Sequence, residues 1–140
     1  MLLTVERVAL LRHVELFSTT PDRILAGVAA VLDEVRFAPG DDLMLEGAVE
    51  DWLFVLVAGE VEVTRSDRRV TLGEGAVVGE LAVLDAQPRS ATVTALSPVL
   101  AFRLRREAFQ EAVESQPGIA MGVITELVRR LRETHGKPPT

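Results

Sequence analysis

The chain has 140 residues, no cysteine, 48% apolar residues and a formal net charge of −6. This length fits one domain with a sizeable core, and the lack of cysteine excludes a disulfide framework and fits a cytoplasmic compartment. The negative charge disfavours general attraction to nucleic acid or anionic lipid, and no apolar run is as long as a membrane span. We therefore expect no direct contact with nucleic acid or membrane.

The first quarter of the chain has the spacing of two helices. Apolar residues from Thr4 to Val14 recur at helical intervals, with Thr4 as the cap. A second periodic segment follows Pro21 and continues to Leu32, and proline is favoured in the first turn of a helix. The sequence therefore predicts helices within residues 4–32.

Residues 35–104 consist of short apolar runs separated by turn residues. The turns are marked by Pro39-Gly40, Glu46-Gly47, Ala58-Gly59, Ser66-Asp67, Gly73-Glu74-Gly75 and Ser97-Pro98. Strands punctuated in this way are typical of an antiparallel sandwich or barrel. We predict a mainly β fold, an eight-stranded antiparallel jelly-roll barrel with flanking helices. Trp52, the only tryptophan, is expected to pack in the core with its N–H bonded locally.

The segment from Val78 to Val93 combines the residue types of a phosphate site. Gly79 has no Cβ, so a ligand can approach its backbone. If Leu81 to Leu84 turn helically, their free amides face one point. Arg89 supplies a planar fork for two phosphate oxygens, whereas Glu80 suits a neighbouring hydroxyl donor. Together these features predict a site for a ribose phosphate.

Residues 79–93, Gly-Glu-Leu-Ala-Val-Leu-Asp-Ala-Gln-Pro-Arg-Ser-Ala-Thr-Val, resemble the phosphate-binding cassette of the cyclic-nucleotide-binding domain family. That family includes the bacterial catabolite activator protein, regulatory subunits of cAMP-dependent protein kinase and cyclic-nucleotide-regulated channels. The resemblance continues upstream in residues 37–40, 46–47 and 51–61. It implies a regulatory module, not an enzyme, that binds cAMP in preference to cGMP.

The resemblance also implies a role for individual residues. Arg89 would bind the exocyclic oxygens of the cyclic phosphate, and Glu80 would accept from the ribose 2′-hydroxyl. The other phosphate and ribose contacts are expected at Gly79, Leu81, Ala82, Ser90 and Ala91. The base pocket or lid is expected at Val61, Val70, Leu72, Val128 and Leu131. Two simpler alternatives stay open: an ion pair between Glu80 and Arg89, and a Ser90 hydroxyl bonded to its own backbone.

Residues 105–134 have the pattern of two helices. The first runs from Arg105 to Val113 and stops near Pro117, and the second runs from about Ile119 to Thr134 with a broad apolar stripe. Its basic cluster faces carboxylates four residues away, which predicts a solvated, salt-bridged face made of Glu126, Arg129, Arg130, Arg132 and Glu133. We predict a single domain over residues 1–135 and a tail or linker at 136–140.

The resemblance implies that binding is relayed by movement of the last helix. The tail is too short for a helix-turn-helix, so direct DNA binding is not expected. The chain is instead expected to control an attached effector domain or to form a homodimer through Ile119, Ile124, Leu127 and Leu131. Two other classes stay open: an interaction domain that keeps the fold without binding nucleotide, and a metal-dependent cupin-like enzyme. The only histidines, His13 and His135, lie outside the barrel, so no metal or cofactor site is predicted.

Overall fold

The computed structural model describes residues 4–136, with the side chains of residues 4–133. The N-terminal helices are α1 (Thr4–Leu11) and α2 (Asp22–Ala29), and a 3₁₀ turn at Glu15–Phe17 lies between them. Both helices are confirmed, but each ends three residues before its predicted limit. Val14 and Leu32 are buried, so the apolar periodicity continues beyond each helix because the following loop still faces the core.

Eight strands make up the β part of the fold. In chain order they are β1 (Asp33–Phe37), β2 (Asp42–Met44), β3 (Trp52–Ala58), β4 (Val61–Arg65), β5 (Arg68–Leu72), β6 (Val77–Val78), β7 (Thr92–Ala95) and β8 (Val99–Arg105). They form two antiparallel sheets, with the orders β1-β8-β3-β6 and β2-β7-β4-β5. The predicted mainly β jelly-roll architecture is confirmed, and its first strand begins two residues earlier than expected.

Strand β3 of the first sheet is buried on both faces. Successive side chains of a strand point to opposite faces, so Phe54 and Leu56 of β3 pack between the two sheets. Leu53 and Val55 of the same strand pack against the helices, in a cluster that includes Phe17 and Phe109. Strand β3 is therefore the central element of the molecule, and its first residues lie next to the candidate site.

Trp52, at the start of β3, packs at the edge of the inter-sheet cluster. The guanidinium of Arg103 lies 5.5 Å from the centre of its ring. Its buried Nε1 has no hydrogen-bond partner among the described residues. The prediction of core packing holds in part, but the prediction of a locally bonded N–H is wrong, because no acceptor of the described residues is placed to bond Nε1.

Two helices follow the barrel, α3 (Arg106–Ser115) and α4 (Gly118–Gly136). Helix α4 continues two residues beyond the predicted Thr134, and the rest of the predicted tail, 137–140, lies outside the described residues. Gly122 lets α4 approach the N-terminal segment closely, because a Cβ there would overlap the hydroxyl of Thr20. Ile119 is fully buried, so its predicted role in pairing two chains is wrong.

The exposed apolar residues of α4 lie on its other side. They are Met121, Ile124, Val128 and Leu131. Across residues 4–136, no helix combines the length and the apolar character needed to cross a bilayer.

Candidate functional site

The segment between β6 and β7 forms one wall of a cavity of about 670 Å³, a size within the range of roughly 300–1,000 Å³ for small-molecule sites. The wall begins with a single 3₁₀ turn, Glu80–Val83. This turn is shorter than an α-helix and offers fewer free amides than the helical turn predicted from Leu81 to Leu84. The amide of Ala82 donates to the carbonyl of Gly79 (3.1 Å). The amides of Glu80, Leu81, Ser90 and Ala91 donate to no backbone carbonyl of the described residues.

Gly79 allows the wall to approach Arg89. Its φ of 75° lies in the left-handed region, where glycine avoids the steric cost of other residues. A Cβ built on Gly79 would overlap Nη1 of Arg89 and would lie 3.2 Å from the carbonyl oxygen of Trp52. Glycine is therefore required here both for the backbone conformation and for the contact with the guanidinium.

Arg89 is held by the segment that precedes β3. Its side chain is 3% exposed, and its Nε donates to Oε1 of Glu50 (3.1 Å). Nη2 donates to the carbonyl oxygen of Trp52 (2.6 Å). The backbone is fixed as well, because the Arg89 amide donates to Ala48 and the Gly47 amide donates to Arg89, both at 2.8 Å.

Glu80 is held from the opposite side, by helical elements. Its Oε1 accepts from the amide of Leu16 (2.9 Å) and from Nη2 of Arg130 in α4 (2.6 Å). Its Oε2 has no hydrogen-bond partner in the described part of the chain. Since Arg89 pairs with Glu50 and Glu80 pairs with Arg130, the alternative of an ion pair between Glu80 and Arg89 is wrong.

Arg130 belongs to a charged network on α4 that also contacts the first 3₁₀ turn. It pairs with Glu15 (2.9 Å) as well as with Glu80. Burial opposes the charge of Arg130, but the hydrogen bond to Glu80 and the charges of Glu80, Glu15 and Glu126 raise its pKa overall. The network thus ties the cassette, the N-terminal segment and the last helix together.

Glu126 lies at the centre of this network. It is 1% exposed and accepts from the guanidinium of Arg129 and from the hydroxyl of Ser18. The hydrogen bond from Arg129 lowers the pKa of the Glu126 carboxyl despite its burial. The predicted solvated face is therefore wrong at Glu126, because tertiary contacts cover this carboxylate, whereas Arg129 and Glu133 stay partly exposed.

The cavity brings together six of the seven residues predicted to contact the phosphate and ribose. These are Gly79, Glu80, Leu81, Ala82, Arg89 and Ser90. Ala91 is buried and is not among the residues that line the cavity. The Ser90 side chain is exposed and has no hydrogen bond within residues 4–133, so the alternative of a Ser90 hydroxyl bonded to its own backbone is wrong.

The structure does not bring the base-pocket candidates into this cavity. Val61 is fully buried between the sheets, Leu72 packs beside it, and Val70 is exposed on β5. Val128 and Leu131 are exposed on α4. The apolar lining of the cavity instead comes from Met44, Leu81, Ala82, Leu84 and Pro88.

Sequence reasoning missed Met44 and Glu50 and did not single out Arg130 within its basic cluster. Glu50 lies 39 residues from Arg89, and Glu80 lies 50 residues from Arg130, so no local spacing connects either pair. Glu50 could have been noticed as a carboxylate just before a buried strand. The adjacent Asp51 has the same charge and also precedes that strand, so the pattern does not distinguish the two residues. No cluster of three or more residues suited to a metal ion occurs in the described chain.

Comparison with known proteins matches more than half of the chain to one family. A sequence model described as the cyclic nucleotide-binding domain matches residues 34–116. The chain is 28% identical over 132 residues to a CRP-like cAMP-activated global transcriptional regulator of Mycobacterium tuberculosis, covering 90% of this chain and 59% of that protein. It is 34% identical over 142 residues to a cyclic nucleotide-gated potassium channel of Rhizobium etli, covering 96% of this chain and 39% of the channel.

A solved structure matches the chain along nearly its whole length. It is the N-terminal domain of a transcriptional regulator from Streptomyces coelicolor, with a TM-score of 0.85 and 32% identity, and the match covers 94% of this chain and 98% of that domain. The match thus covers one domain of that regulator, and the chain spans 59% of the mycobacterial relative and 39% of the channel.

Proposed function

The chain belongs to the cyclic nucleotide-binding domain family, and from that membership we propose that it is a regulatory module that binds cAMP in preference to cGMP. One observation carries the proposal. Arg89 and Glu80 line the same cavity, are not paired with each other, and each keeps a polar atom without a partner in the described chain. A cation and an acceptor in one cavity suit a phosphate beside a hydroxyl.

The cyclic phosphate would bind at the Arg89 end of the cavity. Nη1 of Arg89 donates no hydrogen bond within the described residues, and the amides of Leu81, Ser90 and Ala91 lack partners there as well. Charge-assisted hydrogen bonds from such donors are about twice as strong as neutral ones. The ribose 2′-hydroxyl would donate to Oε2 of Glu80, the carboxylate oxygen that Leu16 and Arg130 leave unused.

The relatives support the preference for cAMP, whereas the residues of the cavity do not by themselves distinguish cAMP from cGMP. The mycobacterial relative is described as cAMP-activated. Ser90 offers a hydroxyl that can donate to the phosphate, and it does not by itself select a base. We expect Val61, Val70, Leu72, Val128 and Leu131 to contact the base only after α4 or the β4–β5 hairpin moves.

The signal would leave the site through Arg130. A ligand shifts a conformational equilibrium only by binding one arrangement better than the other. Because Glu80 is the shared partner of Arg130 and of the proposed ribose contact, ligand binding would change the strength of the link between the cassette and α4. Movement of α4 is thus the proposed output.

The partner of α4 is proposed to be a second copy of the chain. The exposed residues Met121, Ile124, Val128 and Leu131 follow the alternating spacing of three and four residues that forms a coiled-coil seam. An effector attached outside residues 1–140 is the other proposed output, since the chain spans only part of its relatives. Analytical ultracentrifugation decides between them: a dimer that Leu131→Glu dissociates supports pairing, and a monomeric wild type refutes it.

The proposed ligand is tested by calorimetric titration of the wild-type chain with cAMP, cGMP and 2′-deoxy-cAMP. We expect saturable binding of cAMP, weaker binding of cGMP, and a loss of about tenfold for the 2′-deoxy analogue, which lacks the donor to Glu80. No heat and no thermal shift with either natural nucleotide at millimolar concentration would instead favour an interaction domain that keeps the fold without binding nucleotide.

A further inference from the structure

Glu50 is the one carboxylate, among those the structure describes, within ion-pair distance of Arg89. Its Oε1 accepts from Nε at 3.1 Å, and the two side chains are 22% and 3% exposed. Removing a guanidinium from water costs several kcal/mol unless a counter-charge and hydrogen bonds compensate for it. The position of Arg89 beneath the cassette therefore depends on Glu50.

The contacts of Arg89 occupy two of its three guanidinium nitrogens. Nε donates to Glu50, and Nη2 donates to the carbonyl oxygen of Trp52 at 2.6 Å. The guanidinium is planar, with five donors in fixed directions. Two contacts on one edge of this plane therefore fix where the third nitrogen lies, and Nη1 lies against Gly79 at the wall of the cavity.

We propose that Glu50 is a positioning residue that sets which exocyclic oxygen of the cyclic phosphate Arg89 contacts. This inference rests on the proposed function. Glu50 holds the guanidinium by its Nε edge before ligand arrives, so that the unused donors of Nη1 and Nη2 meet the phosphate in one orientation. Preorganised donors lose less freedom on binding than mobile ones, so the contact supports affinity as well as orientation.

The charge of Glu50 offsets the burial of Arg89, but the orientation of the guanidinium depends on the accepting oxygen of Glu50. A carboxylate close to a bound phosphate repels it, whereas the hydrogen bond to Nε orients Arg89 regardless of charge. Glutamine keeps the accepting oxygen and removes the charge, so Glu50→Gln should preserve the orientation. Aspartate keeps the charge but is shorter by one methylene, so Glu50→Asp should lose it.

Asp51 provides the matched control. It lies next to Glu50, has the same charge and is also half-buried. Its backbone carbonyl accepts from the amide of Arg106 (2.8 Å), but its side chain has no hydrogen bond or ion pair within residues 4–133. Asp51→Asn therefore changes the local charge without changing a contact of Arg89.

The test uses the two diastereomeric phosphorothioate analogues of cAMP, in which sulfur replaces one or the other exocyclic oxygen. Calorimetry gives the affinity of each analogue and of cAMP for wild type, Glu50→Ala, Glu50→Asp, Glu50→Gln and Asp51→Asn. The ratio of the two analogue affinities is the decisive readout, because a purely structural loss weakens both analogues equally and leaves the ratio unchanged.

We expect wild type to distinguish the two analogues clearly. Glu50→Ala and Glu50→Asp should weaken cAMP binding by about tenfold or more and bring the ratio towards one. Glu50→Gln should keep the ratio and stay within about threefold of the wild-type affinity, and Asp51→Asn should match wild type. An unchanged ratio in both Glu50→Ala and Glu50→Asp overturns the proposal, and so does a ratio near one in wild type.

A second measurement needs no ligand. The Nε–H resonance of Arg89, assigned by its disappearance in Arg89→Lys, should exchange slowly with solvent in wild type and Glu50→Gln and rapidly in Glu50→Asp. Slow exchange in Glu50→Asp overturns the inference even if Glu50→Ala fails to fold. Failure of the proposed function is distinguishable, because it appears as a wild type that binds neither cAMP nor cGMP.

Discussion

The two ends of the cavity are built from different parts of the molecule. At one end, Arg89 is held by Glu50 and by the Trp52 carbonyl, both at the entrance to the central strand β3. At the other end, Glu80 is held by Leu16 and by Arg130, which belong to helical elements. We refer to these as the barrel end and the helix end of the cavity.

In the proposed function, the barrel end would supply affinity and the helix end would transmit the signal. Strand β3 is buried on both faces, so we expect the barrel end to bind the proposed phosphate without rearrangement. The helix end depends on ion pairs between partly exposed side chains, and such pairs are worth only about 1 kcal/mol or less. A ligand can therefore use the barrel end for binding and exchange contacts at the helix end.

The largest effect on stability is expected for Arg89→Ala. The substitution leaves Glu50 without its counter-charge and the Trp52 carbonyl without its donor, so we expect the free energy of unfolding to fall by about 2–3 kcal/mol. Urea denaturation measures this loss. Arg69→Ala is the control, because Arg69 is largely exposed and its ion pair is long, and it should stay within about 0.5 kcal/mol of wild type. Equal losses in the two variants would contradict the barrel end as described.

Arg130→Ala tests the helix end, where a smaller loss of about 1 kcal/mol is expected. The variant should also raise the rate of amide hydrogen exchange in α4, because the helix loses its link to the cassette. Arg132→Ala is the control on the same helix, since Arg132 is exposed. Unchanged exchange in α4 of Arg130→Ala would show that the ion pair does not couple the two elements.

The smallest effect is a pH dependence that originates at Glu126. Its pKa in the folded protein is lower than the ordinary value of 4.5, so the unfolded chain binds the proton more readily. The resulting stabilisation is complete above about pH 4.5 and is lost as the pH falls through the folded pKa. Glu126→Gln should therefore lose less stability than wild type on acidification, as measured by urea denaturation at about pH 7 and pH 4. Parallel pH profiles would refute this assignment.

The parts of the protein that were predictable from sequence are local ones. The cassette from Gly79 to Ala91 is contiguous, and its glycine, carboxylate and arginine are three chemically distinct residue types that can be read directly from the sequence. The barrel was predictable because turn residues separate its strands. By contrast, the partners of Arg89 and Glu80 lie 39 and 50 residues away along the chain, and only the fold brings them together.

The wrong predictions at Glu126 and at the ends of α1 and α2 come from sequence patterns that are compatible with two different structures. Glu126 lies three residues from Arg129 and four from Arg130, and that spacing is the same for an exposed ion pair and for a buried one. The fold decides, because Ser18 and the first 3₁₀ turn cover this carboxylate. The ends of α1 and α2 were placed too late for a related reason, since Val14 and Leu32 face the core from loops.

The most direct test of the account is a calorimetric titration of cAMP into wild type and Arg89→Lys. Lysine keeps the positive charge but cannot donate to Glu50, Trp52 and a phosphate in the fixed geometry of a guanidinium. We expect wild type to bind one cAMP per chain and Arg89→Lys to bind it at least about tenfold more weakly. Equal affinity in the two proteins, measured with Arg89→Lys shown to be folded, would contradict the central claim that Arg89 recognises the cyclic phosphate.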